Sequence, residues 1–322
     1  MIIGTMTTNS MQGGALRLAD WGLIQAQGAD TASFLHGQLT QDITALPPDR
    51  ARLAGFCNAK GRLQATLVVW RQPASDAPDA PDAWLLACSA DLLAPTLKRL
   101  SMFVLRAKCK LRDAGTDTVL YGLAGAEAAA WLGDALPPAA WAVAALGAAR
   151  VVRLPDADGQ VRCLLAQPAG APAPALPALD EAVWRWLEVR SGVVRVAAAT
   201  FEQFVPQMVN FELVGGVNFQ KGCYPGQEVV ARSQYRGTIK RRAMLFDSPA
   251  ELSAGQEVFH SADPGQPAGR VALAAPQPGG GSTALVEVKL AALDAGSLHA
   301  GSADGPLLRR AALPYAIPVD AA

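Results

Sequence analysis

The spacing of apolar residues changes along this chain, and that change limits the folds open to it. Residues 15–18, 22–26, 53–57, 63–70, 84–88, 107–113 and 118–123 are short apolar runs of strand type, the first two joined through Asp20-Trp21. Between them, Phe34, Leu35 and Leu39 follow Asp30, and Leu92, Leu93, Leu97 and Leu100 follow Ser89, at helical spacing behind a capping residue. A third helix is predicted over 124–132. Residues 141–165 return to strands around the turn Asp156-Ala157-Asp158-Gly159, and Asp180 opens a helix over 181–191 that Gly192 ends. From Thr238 only short strands remain, over 240–246, 258–260, 268–273 and 283–290, separated by Gly- and Pro-rich turns. Strands and helices sharing a sheet make the fold α+β, with ferredoxin-like units as its natural parts. The terminal run of strands makes a small β-barrel or sandwich. The chain therefore divides into 1–237 and 238–322, with a Pro/Ala-rich connector near 167–178 and an exposed acidic loop at 73–82.

Composition removes several classes of function. Lys+Arg 28 balances Asp+Glu 28, so a contact with nucleic acid has to come from a local patch rather than from overall charge. Five scattered cysteines and three histidines make neither a disulfide framework nor a metal cluster, so no metal is expected. No uncharged apolar run reaches the roughly 20 residues a membrane span needs. The expectation is a reduced, soluble, cytoplasmic protein with no membrane partner.

The densest chemistry lies at 218–232. Cys223 follows Lys221 and precedes the turn Tyr224-Pro225-Gly226-Gln227, after which residues 227–235 read as a short helix stopped by Gly237. A cation and a helix N-terminus both favour a thiolate, which marks Cys223 as a reactive thiol and Lys221 as its neighbour. A free cysteine is more ordinarily a small buried hydrophobe. If functional, it would be a redox thiol, a ligand-exchange thiol or a transient contact for a metal cluster.

Two basic stretches stand out in the neutral chain. One holds Lys98, Arg99, Arg106, Lys108, Lys110 and Arg112; the other holds Lys221, Arg232, Arg236, Lys240, Arg241 and Arg242 against Glu228. They suit an anionic partner such as a polyglutamate tail, a phosphate or RNA, or else are ordinary solvated faces. Trp21 and Trp184 are candidates for stacking a flat heterocycle, although tryptophans mostly serve cores. No nucleotide loop, carboxylate pair or Ser/His/Asp order is present.

Lys221-Gly222-Cys223-Tyr224-x-Gly226-Gln227-Glu228, preceded by Phe204-x-Pro206-Gln207 and Gly215-Gly216-Val217-x-Phe219, resembles the signature of YgfZ-type folate-binding proteins. These are relatives of the glycine-cleavage T-protein, an aminomethyltransferase. Asp20-Trp21, Gly37-Gln38-x-Thr40-x-Asp42, Cys57-x-Ala59-Lys60-Gly61-Arg62 and Leu313-Pro314-Tyr315 follow in family order. The resemblance implies a T-protein-like ring of two ferredoxin-like subdomains plus a C-terminal barrel. It implies a tetrahydrofolate or related folate as cofactor, bound near Trp21 and Trp184, with Gln207, Gln227, Glu228 and Arg232 as further binding positions. It also implies transient service to iron–sulfur proteins, including enzymes that modify tRNA, with Cys223 as the key thiol. Direct tRNA binding, by a scaffold that uses the basic stretches, is the non-catalytic alternative. A one-carbon (aminomethyl) transferase is the enzymatic one.

Two departures from the family pattern bear on that reading. The T-protein carries aspartates in the hairpin after Gly61, where this chain reads Leu63-Gln64-Ala65-Thr66. Without a carboxylate there, aminomethyl transfer lacks its base. Where the family often has Glu two residues before Gly192, this chain has Arg190. A guanidinium only donates, so a pterin's amino group would need another acid, with Glu188 the nearest candidate.

Overall fold

A computed structural model describes residues 12–73, 82–235 and 239–318. Residues 74–81 of the acidic loop, Arg236 and the Gly237 stop lie outside the described residues. The first two strands, β1 (Gly14–Arg17) and β2 (Trp21–Gln27), read in sequence as neighbours, but they enter different sheets. In one sheet, β2 is joined by β3 (Ala51–Cys57), β4 (Leu63–Gln72), β5 (Ala83–Ser89) and β6 (Lys110–Asp113), in the order β3-β4-β5-β2-β6. In the other, β1 pairs with β7 (Thr118–Ala124), followed by β10 (Gln160–Pro168), β9 (Ala149–Ala157) and β8 (Val143–Leu146). Tertiary pairing separates β1 from β2: Leu18 N donates to Leu120 O, while Trp21 lies opposite Ser89.

Alternation of side chains gives each sheet two buried faces. On β10, Cys163 and Leu165 pack under α3 (Gly125–Leu132), whereas Leu164 and Ala166 face the other sheet. The outer face of the first sheet is covered by α1 (Thr31–Gln38) and α2 (Ala90–Met102), with Phe34, Leu35 and Leu100 against Ile24 and Leu86. The inner faces share one core, in which Leu53 and Val68 meet the cluster that holds Val152, Leu154 and Trp184.

Only one of the three expected helix caps is made by its own side chain. Asp180 accepts from Ala182 N at 2.7 Å at the start of α4 (Glu181–Arg190). Asp30 instead accepts from Lys108 N at 2.7 Å, and Ser89 Oγ accepts from Arg195 at 3.1 Å. Both residues are diverted to tertiary partners.

The chain after 240 closes a barrel in the order β11-β14-β13-β12-β15-β16. Its strands are β11 (Arg241–Ser248), β12 (Glu257–His260), β13 (Asp263–Pro276), β14 (Ser282–Lys289), β15 (Leu298–Ala300) and β16 (Leu307–Ala311). The last two are too short and mixed to have been read from sequence. Closure leaves no unpaired edge, so the barrel excludes the sandwich alternative. Helix α4 packs on β13, and the segment after it ties the barrel to the sheets. Asn210, in the left-handed region at φ 57°, donates to Ala243 O at 2.7 Å. Arg242 and Glu212 form an ion pair in which both side chains are buried. Removing one member of such a pair strands the other charge. Glu212→Gln should cost about 3–5 kcal/mol in urea denaturation, and Glu212→Leu with Arg242→Met should recover much of that loss. Equal losses in the single and double variants would contradict this.

Candidate functional site

The segment 218–232 is anchored before it offers anything to a ligand. Lys221, only 8% exposed, points its ammonium at two carbonyls at the end of α1: His36 O at 2.5 Å and Leu39 O at 2.9 Å. It also lies 4.7 Å above the Tyr224 ring. These are the carbonyls a helix leaves unpaired at its C-terminus, and a cation suits them. The sequence placed Lys221 as a partner of Cys223, but its hydrogen bonds go to α1. Gly226, at φ +79°, lies where an added Cβ would come within 2.3 Å of Asn58 O and 2.6 Å of Gly61 Cα. Only glycine fits there. The octapeptide and the Asn58–Gly61 turn of the β3–β4 hairpin therefore touch backbone to backbone. The helix they position, α5 (Gln227–Tyr235), has the bounds read from sequence.

Other motif residues also make joints. Thr40 Oγ1 donates to Gly216 O at 2.6 Å, and Gln41 Nε2 donates to Gly215 O at 2.6 Å. Gln207 is buried and donates to Val230 O at 2.8 Å, which steadies α5. Tyr315 donates to Gly192 O at 2.8 Å. Gln227 is half-buried, and Glu228 and Arg232 are exposed.

Cys223 is exposed, whereas the other four cysteines are buried. Burial pushes Cys57, Cys88 and Cys163 up to about 12, so these thiols are inert at neutral pH. His36, to which sequence reasoning assigned no role, donates from Nδ1 to Asp42 Oδ1 at 3.0 Å, and its Nε2 lies 3.6 Å from where a Gly222 Cβ would stand. Among the described residues no group of His, Cys, Asp and Glu is arranged to hold a metal ion. No helix among them is long and apolar enough to cross a membrane.

A separate narrow cleft of about 40 Å³ opens between the inner faces of the two sheets. Trp21, Trp141, Thr66, Arg162, Glu188 and Arg195 line it, with an apolar wall that includes Leu53, Val68 and Leu154. Apolar walls with a few convergent polar groups are the usual lining of a small-molecule site, but the space holds only a few waters, so a flat ring enters only when the walls part. Arg195 donates to both Glu188 oxygens at 2.7 and 3.0 Å, to Asp20 Oδ2 at 2.8 Å and to Asp20 O at 3.1 Å, and lies 4.9 Å over the Trp21 ring. Burial works against its charge, but Glu188 and Asp20 outweigh it and hold Arg195 above the ordinary arginine range. Among the described residues Arg162 has no such partner. Its guanidinium is 2% exposed, lies 4.8 Å from the Trp184 ring centre and donates only to Pro155 O at 3.3 Å. Burial pushes it down to about 10.

Trp184 is fully buried, between Arg162 and Gly122, and does not line the cleft. The second ring on the cleft is Trp141, which the sequence left inside a strand region. Trp141 holds φ 65°, rare for a bulky residue, and is fixed by donating to Arg153 O and accepting from Ala51 N, both at 2.7 Å. None of Gln207, Lys221, Cys223, Gln227, Glu228 and Arg232 lines the cleft. Arg190 also stays out of it: it turns outward to a two-point contact with Asp158 at 2.9 Å, and Glu188 takes the inward place. The hairpin position that lacks a carboxylate puts Thr66 on the cleft, where its hydroxyl accepts from Val196 N at 3.0 Å.

Known proteins resemble this chain over most of its length. It is 34% identical over 261 residues to a protein named tRNA-modifying protein YgfZ from Edwardsiella ictaluri, covering 73% of this chain and 71% of that protein. A second of the same name, from Klebsiella pneumoniae, is 32% identical over 256 residues, covering 76% and 75%. The chain belongs to the YgfZ family. No family model matches it. In fold it is similar to the glycine cleavage system aminomethyltransferase T from Bartonella henselae, with a TM-score of 0.72 at 17% identity over 93% of this chain and 84% of that one. The expected T-protein-like ring and barrel are therefore the fold of this chain.

Burial lowers Lys221 from the ordinary 10.5 to about 8. Between those values the unfolded chain binds more protons than the folded one, so stability should rise with pH there. The stability of the native protein relative to Lys221→Met should grow as pH increases from about 8 to about 10, read from urea midpoints. A constant difference would contradict the burial of this ammonium.

Proposed function

We propose that this chain is a folate-binding accessory protein of tRNA modification, with Cys223 as its working thiol and iron–sulfur enzymes as its clients. The cleft is the observation that carries the folate half. Trp21 and Trp141 offer ring faces to a flat heterocycle, and Glu188 offers acceptor lone pairs that Arg195 leaves free, since a carboxylate has about four acceptor sites. These residues fit a pterin, whose amino and ring N–H groups donate and whose ring carbonyl accepts. A reduced folate, when bound, supplies a ring nitrogen able to carry a one-carbon unit. Arg195 orients Glu188, and the apolar wall of the cleft excludes water.

The same geometry argues against aminomethyl transfer. Glu188 is the one carboxylate among the lining residues; Arg195 takes one lone pair on each of its oxygens, and the remaining ones are those the pterin's amino edge would occupy. A general base needs a lone pair aimed at the proton it removes. The thiol half rests on the exposure of Cys223 and on the family signature around it. The clients follow from the family's name for its tRNA role and from the resemblance in the octapeptide.

A second reading, direct RNA binding, draws on residues 98–112. There all six cations are exposed alongside Met102, Phe103 and Leu105. The other basic stretch gives it less support, because Lys221 and Arg242 are buried and Arg241 pairs with Glu287. Salt-dependent tRNA binding with no folate requirement would favour it.

Titration with tetrahydrofolate should quench tryptophan emission to saturation, and Trp21→Ala should weaken binding about tenfold, the loss of roughly 1.4 kcal/mol of stacking. No change in emission or heat at millimolar ligand would overturn the folate site. Cys223→Ala should fold normally yet fail to restore tRNA modification in cells lacking the native protein. Full rescue would remove the thiol from the function.

A further inference from the structure

We propose that Arg162 is the group that reads the bound ring, by donating to an acceptor atom on it, and that this selects a 4-oxo pterin over a 2,4-diamino one. The inference rests on the folate reading and goes beyond it, because it assigns the chemical face that the ligand turns to the cleft. Guanidinium groups elsewhere in the interior are matched within the chain. Arg195 has Glu188 and Asp20, and Arg242 has Glu212. Arg162 is as buried as either, yet no carboxylate lies within ion-pair distance of it among the described residues. Glu188 is nearby, but its oxygens are held by Arg195. Nε of Arg162 is buried with no hydrogen-bond partner among the described residues. A guanidinium left with one long contact to Pro155 O is costly unless something else accepts from it.

The cleft is where that acceptor can come from, since Arg162 lines it. Guanidinium can only donate, so the atom facing it must be an acceptor. Trp184 behind it fixes the plane from which those donors project, and the ring nitrogens of Trp21 and Trp184 are likewise buried without partners. A 4-oxo ring puts a carbonyl oxygen against such donors. A 4-amino ring puts N–H groups there and leaves both sides unpaired. Glu188 and Arg162 would thus divide the ring, with the acid accepting from its amino edge and the base donating to its carbonyl edge. A site built to hydrogen-bond one group discriminates strongly against the analogue that lacks it, because the buried partner is then stranded.

The test compares 6-hydroxymethylpterin with its 2,4-diamino analogue by calorimetric titration into the native protein, Arg162→Met and Arg162→Gln. The native protein should bind the 4-oxo compound at least about tenfold more tightly, and Arg162→Met should lose that preference. Arg162→Gln, which keeps an amide donor, should retain part of it. Thermal denaturation without ligand is the second arm. Removing an unmatched buried charge should leave the melting temperature unchanged or raise it. If the native protein binds neither pterin, the folate reading fails. If it binds both but Arg162→Met keeps the native preference, the role of Arg162 fails and the folate site stands. A large drop in melting temperature for Arg162→Met would overturn the proposal by itself, because the guanidinium would then be structural.

Discussion

Arg195 holds the first sheet and the helix α4 in one arrangement. Its guanidinium makes five hydrogen bonds, to Asp20 and Ser89 on the first sheet's side and to Glu188 on α4, and it covers Trp21. The first sheet supplies one wall of the cleft, the second supplies Trp141 and Arg162, and α4 supplies Glu188. Arg195 ties the first sheet's wall to Glu188. Because the pair it forms with Glu188 is largely buried, it is worth most as a device for a single geometry, since burying two charges returns little net stability.

The two features on which the proposed function rests lie apart in the fold. The cleft lies on the inner faces of the sheets, while Cys223 sits outside, on a loop pinned to α1 by Lys221 and to the β3–β4 turn by Gly226. None of the residues of the 221–228 signature lines the cleft. The signature is therefore mostly a mounting. It fixes where one exposed thiol stands relative to the scaffold, and the rings and charges of the cleft come from elsewhere in the chain.

Much of the fold was legible because periodicity reports which faces are buried. The helices over 181–191 and 227–235, the β3–β4 hairpin and the β-rich tail all followed from it. What failed depended on long-range pairing. β1 and β2 are adjacent in sequence, yet hydrogen bonds to β7 and β5 send them to different sheets. Asp30 and Ser89 have the composition of caps but serve Lys108 and Arg195. In the cleft, Trp21 was legible from a motif, whereas Trp141 depends on a positive φ that no spacing reveals. Arg162, Glu188 and Arg195 stand on separate elements, and only the folded chain brings them together. Arg190 misled for a simple reason: its position suggested the cleft, but its rotamer reaches Asp158.

Where a folate sits decides the matter most directly. A crystal structure of the protein with 5-formyltetrahydrofolate should show the pterin ring between Trp21 and Trp141, its amino edge on Glu188 and its carbonyl on Arg162, with Cys223 free of contact. A ring bound at the Cys223 loop, or a cleft left empty at saturating ligand, would contradict it.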